Sequence, residues 1–250
     1  MKDVVLITGA GNGIGFFMSK TLLEEGYRVG VLDISQGQLS SLSSAYSDRL
    51  LVLNCDVSDA ARVQSSVETV IERWRQIDVL INNACVAVFK PFEEKSPEAT
   101  RREFDVNYFG YLHTIAAVLP HMKARGKGII HNVSSGVGVT GFPGIYGYAS
   151  TKGAVESLTR TLALELEPYG ISAHLMHPPL TRTHSAAPLG IPPEAMDDPE
   201  RVGRRLAKRI FSSRFIITPD FRTSVFLFFT YRHPRWIGKL LAALAERARR

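Results

Sequence analysis

Short apolar runs alternate with longer stretches of helical spacing along most of this chain, and no other feature constrains its fold as much. Residues 4–9 are continuous, β-branched and end in glycine, the pattern of a strand buried on both faces. Similar runs recur at 28–34, 50–57, 79–84, 128–135, 171–178 and 214–219. Helical segments lie between them at 14–26, 58–75, 97–123 and 146–168. Gly26 supplies one stop, Ser58 and Asp59 one cap, and Pro120 is expected to break the third helix late. Strand and helix alternating in this way predict an α/β fold. Right-handed crossovers give a Rossmann-type, doubly wound parallel sheet of about seven strands with helices on both faces. Ligands of such sheets bind outside the carboxyl ends of the strands. The Pro- and Gly-bearing stretch 178–199 reads as a mobile loop over those ends.

The first strand runs through Gly9, Gly11, Asn12, Gly13, Ile14 and Gly15 into a helix. Glycines permit a tight turn, and the free N–H groups of the helix start attract an anion such as a pyrophosphate. Glycine clusters are common in turns, but the strand–glycine–helix context is specific to dinucleotide sites. Asp33 ends the second strand and Ile34 follows it. A carboxylate there accepts hydrogen bonds from ribose hydroxyls and repels a 2′-phosphate, so NAD is expected in preference to NADP.

Composition excludes several classes. No apolar run approaches the roughly 18 residues of a transmembrane helix, and residues 1–7 are too short for a signal sequence. The chain is therefore expected to be cytoplasmic. The two cysteines, Cys55 and Cys85, each end an apolar run and read as buried thiols of a reducing compartment. His113, His121, His131, His174 and His177 lack metal-ligand spacing. His131 and His174 read as packed strand residues with satisfied rings, whereas His177 stands at a strand end. The net charge of +6 is uneven: residues 201–250 carry 13 Lys/Arg against 2 Asp/Glu, and residues 1–200 carry 17 against 22.

Tyr148 and Lys152 stand four apart in a helical segment, on one face, where an ammonium is expected to lower the phenol's pKa. Ser135 lies 13 residues before Tyr148 at the end of the fifth strand, with Ser134 as its rival on the opposite side. Together with the glycine loop, these residues resemble the short-chain dehydrogenase/reductase family, in its single-domain branch of about this length. The resemblance covers roughly residues 3–183 and implies hydride transfer between a nicotinamide and an alcohol or ketone. It implies that Tyr148 moves the proton, that Ser135 orients the substrate oxygen, and that Asn107 distorts its helix and completes a proton relay through Lys152. Tyr148 and Lys152 would also touch the cofactor. Asp56 and Val57 resemble residues near the adenine; Asn83 and Ala84 resemble the family's Asn-Asn-Ala-Gly, with Cys85 in place of the glycine. Pro178 through Thr183 resembles Pro-Gly-x-x-x-Thr, with Pro179 in place of glycine and Thr183 kept to meet the carboxamide. No metal site is implied, and family members commonly assemble as homodimers or homotetramers.

Residues 1–221 are expected to form one NAD-binding catalytic domain, and residues 222–250 a basic, amphipathic extension. Ile237, Leu240, Leu241, Leu244, Ala245 and Ala248 fall on one helical face, with Lys239, Arg247, Arg249 and Arg250 elsewhere. Two readings stand open: a face on an anionic membrane surface, or packing on its own domain or a second copy. Nucleic acid has the charge but no recognition motif. Hydrophobic basic tails of this kind in relatives point to an apolar substrate of steroid, retinoid or keto-lipid type. Two other functions compete with the dehydrogenase. One is a non-catalytic NAD-binding scaffold or redox sensor, which leaves the four site residues unexplained. The other is a nucleotide-sugar epimerase, which calls for a longer chain.

Overall fold

In the computed structural model, residues 2–249 are described, apart from the side chains of Ala248 and Arg249. The expected stripe position Ala248 and the tail residues Arg249 and Arg250 therefore lie outside the described side chains. Seven parallel strands form one sheet in the order β3-β2-β1-β4-β5-β6-β7. They are β1 Val4–Thr8, β2 Arg28–Asp33, β3 Leu50–Asn54, β4 Val79–Asn82, β5 Gly128–Val133, β6 Ile171–Met176 and β7 Ile216–Ile217. Strand order reverses between β1 and β4, which opens a crevice at the carboxyl edge.

Alternation along β1 explains the two layers. Val5 and Ile7 join one core with α1 (Gly13–Glu24), and Val4 and Leu6 join the other with Val63 and Val67 from the opposite side. The short helix α2 spans Ser40–Ser43, and α3 (Ala60–Trp74) is capped by Asp59, whose side chain accepts from Arg62 N–H.

The expected single helix at 97–123 is three pieces: α4 (Pro97–Phe104), a π-helical turn at Asp105–Phe109 and α5 (Gly110–Arg125). Pro120 lies inside α5 and does not break it; Gly126 ends it at φ 62°. Packing of α5 on α3, β4 and β5 offsets the hydrogen bond that proline forfeits. The short α6 (Val137–Thr140) leads to α7 (Tyr146–Leu166). The stretch expected as a mobile loop holds short helical turns at His184–Leu189 and Pro193–Ala195, and Asp197 N–H donates to Leu180 O (2.8 Å) and Arg182 N–H to Asp197 O (2.9 Å). Then α8 (Pro199–Ala207) packs on α1, where a Cβ at Gly203 would lie 2.7 Å from Phe17 Cβ.

The basic extension is two helices, α9 (Phe221–Arg232) and α10 (Pro234–Arg249). α9 packs on α6, and α10 packs on both. Among the described residues, no helix is long and apolar enough to cross a membrane.

Candidate active site

A cavity of about 650 Å³ opens at the carboxyl edge of the sheet. Its first end is the β1–α1 turn. Gly9 and Gly13 adopt φ +66° and +60°, and a Cβ at Gly9 would lie 2.5 Å from Ala84 Cα. Asn83 braces the turn through Nδ2 donating to Gly9 O (2.7 Å), while Thr8 Oγ1 accepts from Asn83 and Ala84 N–H (3.0 Å each). Asn12 makes no side-chain cap on α1, so the helix start presents bare N–H groups. Gly13, Asn12 and Ile14 line the cavity. Gly15 does not: it packs on the backbone, where a Cβ would lie 2.6 Å from Gly9 O.

Asp33 and Ile34 line the same end. The Asp33 carboxylate is aimed by two backbone donors, Gly11 N–H (2.7 Å) and Ser35 N–H (2.9 Å). Asp56 and Val57 also line the cavity. Burial raises the Asp56 carboxyl, but bonds from Ser58 and Arg102 outweigh it and hold the group below its usual range. Arg102 Nη2 stands 2.8 Å from Asp56. A bare helix N-terminus, a glycine turn and an oriented carboxylate fit a dinucleotide.

The second end gathers Ser135, Tyr148 and Lys152, whereas Ala84 lies against Gly9 and Thr183 against Gly13, and Pro178 also lines the cavity. Ser135 stands beside the Tyr148 phenol and draws its pKa down. Ser134 turns the other way, and its hydroxyl donates to Glu156 Oε1 (2.7 Å). Asn107 does not reach the cavity. It is fully buried in the π-turn, where its amide clasps Val86 N–H and C=O (2.8 Å each) and donates to Thr151 (3.1 Å). Asn107 thereby fixes the segment after β4 that forms a wall of the site.

Two findings correct the sequence reading. Lys152 is expected to lower the Tyr148 pKa, yet burial first, then the nearby Cys85, push the phenol up, and Ser135 offsets them only in part. The Lys152 ammonium instead donates to Val133 O (2.7 Å) and Tyr111 Oη (3.2 Å), and burial lowers its own pKa. Tyr148 therefore keeps its proton at neutral pH in the protein alone. Cys85, expected to be buried, is half-buried and lines the cavity; Cys55 is buried.

Sequence reasoning missed several supports. Tyr111, one turn beyond Asn107, seats Lys152. Lys95 and Glu103 form a fully buried ion pair. Glu103 Oε1 accepts from Val88 N–H (2.7 Å), and Lys95 Nζ donates to Val88 O (3.3 Å). The pair abuts Gly147, beside Tyr148, where no Cβ would fit. A buried amide chain crosses the sheet: Asn82 donates to Asn132 (2.9 Å), and Thr114 donates to Asn82 (2.6 Å). The tail completes the enclosure, since Thr223, Phe226, Leu227, Leu241, Leu244 and Ala245 line the cavity. Of the strand histidines, His174 bonds Arg214 O through Nδ1. His131 bonds Ile210 O, but its Nδ1 has no partner among the described residues, contrary to the expected satisfied ring.

The geometry agrees with known proteins. The family described as short chain dehydrogenase matches residues 3–191. A 3-alpha-(or 20-beta)-hydroxysteroid dehydrogenase of Mycobacterium bovis is 33% identical over 180 residues, covering 72% of this chain and 69% of its own length. A short-chain dehydrogenase from Streptomyces avermitilis superposes with a TM-score of 0.82 at 26% identity, covering 98% of each chain. A 3-ketoacyl-(acyl-carrier-protein) reductase from Brucella melitensis, solved with NADH, gives 0.78 at 28% identity over 87% of this chain and 94% of its own. With its sheet order, its glycine turn and three quarters of its length matched, the chain belongs to the short chain dehydrogenase family of oxidoreductases that act on alcohols and ketones.

Proposed function

We propose that this protein transfers hydride between NAD and an apolar secondary alcohol or ketone, with Tyr148 as the proton-transfer residue. One observation carries the reading. A single cavity holds the glycine turn and Asp33 at one end and Ser135, Tyr148 and Lys152 at the other. The bound nicotinamide supplies or accepts the hydride. Ser135 and the Tyr148 phenol converge, so a substrate oxygen placed between them accepts two hydrogen bonds. In reduction Tyr148 gives its proton to that oxygen. In oxidation its phenolate takes the proton, and the positive charges of Lys152 and of an oxidised nicotinamide ring favour that ionised form. Lys152 and Asn107 hold the site from behind rather than touching the reacting carbon.

The substrate class follows from the walls. Val86, Phe89, Ile145, Leu189, Phe226 and Leu241 surround the catalytic end. The hydroxysteroid dehydrogenase likeness supports a bulky apolar alcohol. The outer side of the tail supports a second contact, with an anionic lipid surface. Phe221, Phe228 and Trp236 are 81%, 68% and 64% exposed, on helices that also carry Arg222, Arg232 and Arg235. A turnover panel of hydroxysteroids, retinols and long-chain secondary alcohols, run with NAD and NADP, tests the reading. Turnover of at least one apolar alcohol with NAD supports it, and no nicotinamide-dependent turnover of any of them refutes it.

A further inference from the structure

Glu156 lies one turn beyond Lys152 on α7, is 3% exposed, and belongs to none of the roles above. Its two carboxylate oxygens gather four donors from four parts of the chain. Oε1 accepts from Ser134 (2.7 Å) and stands 2.7 Å from His177 Nε2; Oε2 accepts from Tyr231 (2.6 Å) and Arg160 (2.7 Å). Bonds of this length to a buried carboxylate are strong ones. Burial raises its carboxyl pKa, but His177, Tyr231 and Ser134 outweigh that and hold it low, so the group is an anion at neutral pH. A His177 ring that donates from Nε2 leaves Nδ1 as a bare acceptor, matching its lack of a partner among the described residues.

The four donors have one thing in common. Ser134 precedes Ser135, and His177 precedes the Pro178 loop of the cofactor end. Tyr231 belongs to α9 of the tail, and Arg160 follows on α7 itself. Four residues before Tyr231 on α9, Leu227 and its neighbour Phe226 stand over Gly136, the residue after Ser135; a Cβ there would lie 3.9 Å from each. The tail wall and the substrate-oxygen site thus share one joint.

We propose that Glu156 and Tyr231 are positioning residues that join the C-terminal wall to the catalytic end, so that an apolar substrate pressing on α9 improves the placement of Ser135 and of the loop after His177. This rests on the proposed function for its substrate, though not for its geometry. Binding energy from the remote apolar part of a substrate then appears in kcat as well as in KM.

The test uses the full chain, its Tyr231→Phe variant and its Glu156→Gln variant. Secondary alcohols from butan-2-ol to decan-2-ol are oxidised with NAD and with NADP. In the parent, kcat rises with chain length. In Tyr231→Phe, which keeps the ring and deletes the hydroxyl that meets Glu156 and His177, that rise flattens, with a loss of roughly tenfold on the longest alcohol and less on the shortest. Glu156→Gln flattens it further. An unchanged dependence of kcat on length, with only KM or stability altered, overturns the proposal. Hydrogen exchange of the same proteins without substrate reads the joint directly. Faster exchange in Tyr231→Phe at both 221–232 and 177–184 supports it, and a change confined to 221–232 overturns it. If the parent oxidises none of the alcohols, the proposed function needs another substrate, and the exchange result still decides the joint.

Discussion

Replacing Lys95 by Met is expected to cost more stability than any surface charge in this protein, because it strands an anion. Both partners of the Lys95–Glu103 pair are fully buried, and Met fills nearly the volume of the lysine stem without its charge. Glu103 then keeps its bond from Val88 N–H but loses its counter-ion, while Val88 C=O loses a donor. Breaking a buried pair from one side costs about 3–5 kcal/mol. For a domain of this size that is a fall in Tm of roughly 6–20 °C. Adding Glu103→Gln to Lys95→Met removes the stranded charge and keeps an acceptor for Val88, so the double variant recovers roughly 2 kcal/mol. Urea unfolding followed by tryptophan fluorescence measures both steps, with the buried Trp74 reporting the core. A cost below about 1 kcal/mol for Lys95→Met refutes the argument. So does a double variant less stable than the single one.

Three further outcomes follow from named groups. Burial first, and the neighbouring His174 next, lower the His131 pKa from 6.5 to about 3, against the raising bond to Ile210. A lowered histidine stabilises the fold fully above its unfolded pKa and loses that contribution as pH falls from about 6.5 towards 3. His131→Gln should therefore reduce the acid-side slope by up to about 1.4 kcal/mol per pH unit, and an unchanged slope between pH 6.5 and 4.5 counts against it. Asp33→Asn should lower the ratio of kcat/KM for NAD over NADP by roughly tenfold, and a parent that prefers NADP contradicts the role of Asp33. The paired change Phe228→Ser and Trp236→Ser should abolish sedimentation with anionic liposomes while leaving the cavity lining intact; sedimentation equal to that of the parent contradicts the lipid contact.

The sheet was legible because strands buried on both faces are continuous β-branched runs that end in glycine or a polar residue. The two-residue β7 was legible only as a longer run. α8 was missed because four of its nine residues are charged and only Val202, Gly203, Leu206 and Ala207 are buried. Its signal was present in Asp198 followed by Pro199, a cap and a first-turn proline. The spacing of Ser135, Tyr148 and Lys152 brought those residues to one cavity end, yet it carried no information on burial. The pKa of Tyr148 therefore moves opposite to the expectation from a neighbouring ammonium. Lys95, Glu103 and Glu156 look like solvated charges in the sequence, because their partners come from distant segments. The tail left a membrane face and packing on its own domain both open, and the fold adds that its inner side is a wall of the cavity.

Whether Tyr148 moves the proton is decided by Tyr148→Phe. The measurement is the single-turnover rate of nicotinamide reduction with the best alcohol of the panel, for the parent and for Tyr148→Phe with cofactor affinity measured alongside. A rate lowered by about 10²–10⁴-fold with cofactor binding retained is the predicted result. A rate within a few-fold of the parent contradicts the account.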